Sequence, residues 1–225
     1  MHIGLIGGIG AAATVVYYQR LCAAVAKTGK RLDLTIVQAD IQTLIRNNLA
    51  DLRAEQAADY APLLQRLKAA GCDCAAITSL GGHFCFAETE ALSPLPLVSA
   101  VAPLDDFFAA EGIGAVGLLG TRVVMRTGLF GQLKRTRALA LEDRIDELGQ
   151  LYQDVAVAGA CTQEARATFL GAGQQLIDLG AEAVVLAGTD LNLAFDGQEP
   201  GYRVIDALDV HVARLADLAT DRATL

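Results

Sequence analysis

Two segments of this chain repeat. Ile3-Gly4-Leu5-Ile6-Gly7 returns as Val116-Gly117-Leu118-Leu119-Gly120, and Ala75-Ala76-Ile77-Thr78-Ser79 returns as Val184-Val185-Leu186-Ala187-Gly188, at offsets of 113 and 109 residues. Nearly equal offsets of about half a 225-residue chain predict a duplicated unit: two similar lobes related by a pseudo-dyad. Each repeated segment is an apolar run ending in glycine or a hydroxyl residue, as a buried strand does on entering a loop.

Around these anchors the chain alternates. Apolar, β-rich runs predict strands at 2–7, 32–39, 74–78, 97–99, 115–119, 138–141, 183–186 and 204–205. Helical spacing predicts helices at 11–27, 52–70, 83–92, 101–111, 123–133, 142–157, 162–179 and 206–225, while 40–50, with Asn47-Asn48, reads as a loop on the rim. Strands and helices of these lengths in alternation mean an α/β fold, with a mainly parallel sheet flanked by helices in each lobe. The first lobe is expected to take 1–98 plus 207–225, and the second 99–206. Parallel sheets bind ligands at the carboxyl ends of their strands. The strand ends at Gly8, Ser79, Thr121 and Gly188 are therefore expected to line one cleft between the lobes.

Composition narrows the partners. With 53% hydrophobic and 20% charged residues the chain has ample material for a core, and its net charge of −8 argues against nucleic acid or an anionic membrane as partner. It holds no run of about 18 apolar residues, and a start without a basic n-region reads directly as a strand, so a cytoplasmic location is expected. Five scattered cysteines do not suggest disulfides, and Cys72-Asp73-Cys74 is too tight for a zinc knuckle; no metal site is expected.

Candidate chemistry sits at the strand ends. Gly8-Ile9-Gly10-Ala11-Ala12-Ala13 fits the dinucleotide fingerprint G-x-G-x-x-A, with Asp40 closing the next strand. A duplicated lobe gives no reason for a nucleotide half-site, so the preferred reading has backbone N–H groups at Ile9 and Gly10 holding a substrate carboxylate. Thr78 and Ser79 end the third strand, and His83 lies just beyond. Ser79 either caps the following helix or contacts a ligand, and His83 either caps or works in the site; no G-x-S-x-G elbow supports a hydrolase. Thr189 and Asp190 follow Gly188 and suit both helix capping and ligand contact. Thr121 and Arg122 open the second lobe's first helix, where an arginine either pairs with a carboxylate or lies on the surface. Asn48 is placed on the rim as a ligand contact. His211 reads as a packed structural histidine.

Taken in order, these motifs resemble the aspartate/glutamate racemase superfamily. Gly4-Leu5-Ile6-Gly7-Gly8-Ile9-Gly10 with Thr14 and Tyr17-Tyr18 is similar to the family opening GLIGGMG…T…YY. Gly117-Leu118-Leu119-Gly120-Thr121-Arg122 with Met125 and Phe130 resembles GLLGTR…M…FY, and Asp206…His211 resembles the family's closing D…H. The resemblance implies two α/β lobes, a homodimer, no cofactor, a small amino-acid or carboxylate ligand, and two cysteines that exchange the α-proton on opposite faces. Here the sequence departs. Ser79-Leu80-Gly81-Gly82-His83 stands where the family has CNTAH, and Ala187-Gly188-Thr189-Asp190 stands for GCTE, so Ser79 and Gly188 occupy the thiol positions. Leu80 and Gly81 replace groups that contact substrate. An unassisted serine is no match for a cysteine as base, and glycine has no side chain to move a proton. The resemblance therefore implies a racemase-family protein with an atypical or lost two-base site, in which Ser79, His83, Thr189 and Asp190 would serve as proton-handling or positioning groups. A non-catalytic carboxylate-binding protein, a lyase or decarboxylase of the same superfamily, and a dinucleotide-binding oxidoreductase are the alternatives.

Overall fold

The computed structural model describes residues 1–8 and 10–225; Ile9, expected at a ligand-binding turn, lies outside the described residues. The chain divides into two units, Met1–Ala100 with Leu208–Leu225, and Val101–Ala207. The first holds β1 (His2–Gly7), α1 (Ala11–Ala26), β2 (Asp33–Gln38), α2 (Ile41–Leu49), α3 (Arg53–Ala69), β3 (Cys74–Ile77), α4 (Phe86–Leu92) and β4 (Leu97–Val98). The second holds α5 (Leu104–Ala110), β5 (Ala115–Gly120), α6 (Arg122–Arg126), β6 (Arg137–Leu139), α7 (Ile145–Ala158), α8 (Gln163–Asp178), β7 (Ala183–Ala187), α9 (Asn192–Phe195) and β8 (Val204–Asp206). The closing helix α10, Ala207–Ala219, returns to the first unit.

Each unit carries one four-stranded parallel sheet, in the order β2-β1-β3-β4 and β6-β5-β7-β8. Ile3 sits beside Leu34 and Cys74, and Val116 beside Ala138 and Ala183. The central strands β3, β5 and β7 are buried at every position. A parallel sheet covered by helices on both faces needs continuous apolar runs of that kind rather than alternation. In the first unit Ile3, Leu5 and Ala76 pack with Tyr17 and Leu21 of α1, and with Leu208, Val212 and Leu215 of α10.

Two segments depart from the sequence reading. Residues 40–50 form α2 rather than a loop, with Asp40 as N-cap accepting from the Thr43 N–H at 2.7 Å. Asn47 and Asn48 favour turns by propensity. Here both are buried, and their side chains bond to Gln56 and Gly81, which outweighs propensity. Conversely, the helix expected over 123–133 ends at Arg126, because Gly128, Leu129, Phe130 and Gly131 all take left-handed backbone, with φ of 56°, 56°, 59° and 66°. Thr127 anchors that turn, its hydroxyl accepting from Phe130 N–H and its carbonyl from Gly131 N–H.

Candidate functional site

The carboxyl end of β3 is tightly hydrogen-bonded. The Thr78 hydroxyl donates to the Ile6 carbonyl at 3.1 Å, so the contact at 2.9 Å between the Thr14 and Thr78 hydroxyls must have Thr14 as donor. Ser79 Oγ accepts from Gly82 N–H at 3.3 Å, starting a one-turn helix, Gly81–Cys85, that leads into α4. Gly8 stands directly against Ser79: a Cβ built on Gly8 would fall 2.1 Å from Ser79 Cβ. Glycine at position 8 is thus required by Ser79, independently of the dinucleotide fingerprint. Tyr60 of α3 reaches the same turn, with its fully buried hydroxyl unpaired and 2.6 Å from where a Cβ of Gly82 would lie.

His83 is fixed from both sides. Its Nε2 accepts from the Ala100 N–H at 3.0 Å, so Nδ1 carries the hydrogen and donates to the Ser79 carbonyl at 2.8 Å. Burial lowers its pKa to about 4. The imidazole is neutral with both nitrogens engaged, and in this conformation His83 holds the Ser79 turn. His211 is likewise buried and neutral, its pKa lowered to about 3 by burial and then by His83. It accepts from the Tyr17 hydroxyl at 2.9 Å and donates to the Val98 carbonyl at 3.1 Å, the packed structural role expected of it.

Beyond β7 the pattern differs. Gly188 is followed by a one-turn helix, Thr189–Leu191, and then α9. A Cβ on Gly188 would lie 2.4 Å from Cε2 and 2.8 Å from Cζ of Tyr152. Tyr152 comes from the buried face of α7, with Leu148, Val155 and Ala156, and fills the space a residue-188 side chain would need. Its hydroxyl donates to Asp190 Oδ2 at 3.2 Å. Burial, reinforced by the Asp190 charge, raises the phenol's pKa well above the ordinary value, so it stays protonated. The Thr189 hydroxyl lies near Tyr152 but outside hydrogen-bond geometry, and both amide atoms of Asn192 are buried without partners. Each such orphan costs about 1–3 kcal/mol unless something binds it.

The other candidates take structural places. Asn48 is buried in α2, not on a rim, and donates to the Gly81 carbonyl at 2.9 Å. Leu80 and Gly81 are buried in the turn after β3. Gly10 is the N-cap residue of α1, and no side chain caps that helix or places an acid in its first turn. Thr121 caps α6 through Val124 N–H. Arg122, half-buried, bonds Gln150 and pairs with the Asp146 carboxylate of its own unit. Cys85, six residues beyond Ser79, is buried, and burial pushes its pKa up to about 11; Cys74, five residues before it, behaves alike. Neither offers a thiolate at neutral pH. Among the described residues no group of three metal-ligating side chains converges, and no helix is long and apolar enough to cross a membrane.

Residues 6–215 match the family model Asp/Glu/Hydantoin racemase. The chain belongs to this family. Solved structures of similar fold include a proposed Asp/Glu racemase from Yersinia pestis, 22% identical, covering 98% of this chain and 100% of that one at a TM-score of 0.82. The aspartate racemase of Picrophilus torridus is 19% identical over 98% and 95% of the two chains (TM-score 0.79). A glutamate racemase from Francisella tularensis, solved with D-glutamate, is 11% identical over 98% and 81% (TM-score 0.69). No protein of curated function matches the chain. For this racemase-family member, sequence reasoning found the strand-end residues but missed Tyr152, Tyr60 and Asn192. The helical stripe through α7 marks Tyr152 as core, and only the fold reveals that its ring abuts Gly188.

Proposed function

We propose that this racemase-family chain binds a small amino acid or related carboxylate at the carboxyl ends of its central strands, without a cofactor, and that it does not racemise by the two-thiol route. One observation carries the reading: the Tyr152 ring takes the space of any side chain at position 188. Ser79 supplies a hydroxyl at the matching strand end, and the nearest cysteines are held as neutral thiols. Support for an anionic ligand comes from the start of α1, which carries no acidic residue in its first turn. A family relative was solved with D-glutamate, which fits the same ligand class. Asp190 and Ser79 are the groups we assign to any proton handling, with Gly10, Thr121 and Thr189 as ligand contacts. A cytoplasmic homodimer is part of the same reading. The sequence fingerprint for a dinucleotide is weaker, since Asp40 is spent as the cap of α2 and Gly8 is required by Ser79.

The test combines thermal shift with exchange of the Cα proton in D₂O, read by NMR over a panel of L- and D-amino acids. The expected result is stabilisation by at least one of them, with any Cα exchange surviving Cys85→Ala and lost in Ser79→Ala. Failure of every panel member to bind overturns the reading, as does exchange that depends on Cys85. Binding with no exchange identifies the non-catalytic form of the same function.

A further inference from the structure

We propose that Asn192 is a further recognition residue for the amino-acid ligand of the reading above, contacting the carboxylate and the ammonium together. The inference rests on the ligand-binding reading above and adds the residue that discriminates within that ligand class.

Asn192 is 2% exposed, and neither Nδ2 nor Oδ1 has a hydrogen-bond partner. A buried amide without a bond at either end is rare, because its two donors and one acceptor oxygen are normally all accounted for. It is not alone. Among the described residues five buried side-chain atoms lack partners, and three of them, Thr189 Oγ1 and the two Asn192 atoms, lie within four consecutive residues. Thr189 opens a tight helical turn and Asn192 follows three residues later, so the two side chains project from the same face of that turn. The turn closes β7, at the carboxyl end of a central parallel strand, where such sheets take ligands.

The repeat sharpens the contrast. Asn192 lies 109 residues after His83, the offset that separates β3 from β7. In the first unit that position is fully satisfied, with one ring nitrogen on the Ser79 carbonyl and the other on the Ala100 N–H. In the second unit a side chain with the same capacity to donate and accept is left with neither. A carboxylate alone would satisfy only Nδ2, and an ammonium alone only Oδ1. An α-amino acid offers both one carbon apart, with Thr189 Oγ1 as an added partner.

The experiment titrates the wild-type protein, Asn192→Leu and Asn192→Ala with L- and D-aspartate, L- and D-alanine, malate and lactate, following melting temperature and calorimetric affinity. The wild type is expected to bind one of the amino acids about ten- to a hundredfold more tightly than the 2-hydroxy acid of the same skeleton, the range for a hydrogen bond to a charged group. Both variants are expected to lose that preference. Asn192→Leu, near in shape and without the unpaired amide, is expected to melt above the ligand-free wild type. Unchanged amino-acid affinity in either variant overturns the inference, since the orphan atoms would then hold only water. So does an Asn192→Leu protein that melts below the wild type while Asn192→Ala retains full affinity. Failure of the wild type to bind any of the six compounds counts instead against the ligand-binding reading itself.

Discussion

At the scale of single residues, position 188 shows how packing restricts what a strand end can carry. Placing a thiol there means setting Cβ against a buried aromatic ring, because the nearest Tyr152 atom would be 2.4 Å away. Gly188→Cys alone is therefore expected to destabilise the protein by about 1–3 kcal/mol through overpacking. Combining it with Tyr152→Leu should cost less than the two single changes summed, since each relieves the other. Tyr152→Phe keeps the ring and should give no such relief. Urea denaturation of the four variants measures this, and simple additivity of Gly188→Cys with Tyr152→Leu would show that the ring is not the obstacle. The same contact marks the limit of what can be read from the chain as text. The glycine at 188 is visible at the end of a repeated strand, and Tyr152 is visible as a core position of α7. That the two touch depends on packing between elements 36 residues apart, which periodicity does not encode.

At the scale of elements, α2 and the paired imidazoles decide how the loops at the sheet's carboxyl end are held. Eight strands and most helices are legible from apolar runs, but α2 is not, because its second half depends on hydrogen bonds to α3 and to the turn after β3. Its start is legible in hindsight from Asp40, a favoured N-cap residue. Asp40→Ala is expected to cost about 1 kcal/mol and Asp40→Asn much less, measured by thermal or urea unfolding. A larger loss in Asp40→Asn than in Asp40→Ala would contradict the capping role. His83 and His211 tie the turn after β3 to β4, α1 and α10 in their neutral forms. Both have native pKa values, about 4 and about 3, below the ordinary 6.5. Between those limits the unfolded chain binds more protons than the native one, so stability falls as pH drops below about 6.5. The loss between pH 7 and pH 5 is expected to be about 2 kcal/mol per histidine. His83→Gln should flatten the profile by roughly that share, and an unchanged slope in that variant would assign the acid sensitivity elsewhere.

At the scale of the whole molecule, the duplication reaches past the sheets to the way each strand-end turn is gripped. Asn48 of α2 donates to Gly81 after β3, and Tyr152 of α7 donates to Asp190 after β7; Gly81 and Asp190 are 109 residues apart, the strand offset again. Equivalent helices thus steady equivalent turns with different chemistry, one through a backbone carbonyl and one through a carboxylate. The units differ in how the chain completes them. The second is one continuous stretch, Val101–Ala207, whereas the first needs Leu208–Leu225 from the far end of the sequence. Four large side chains of α10, Leu208, Val212, Leu215 and Leu218, lie in the first unit's core. At about 1.5–3 kcal/mol for each buried side chain they contribute roughly 6–12 kcal/mol, comparable to the whole stability of an ordinary domain. A chain ending at Ala207 should therefore lose the first unit while keeping the second. In hydrogen exchange, amides of β1 and β3 should become unprotected and those of β5 and β7 should stay slow. Persistent protection of β1 in the truncated chain would show that α10 is dispensable, and loss of β5 and β7 protection alongside it would show that the second unit cannot stand without the first.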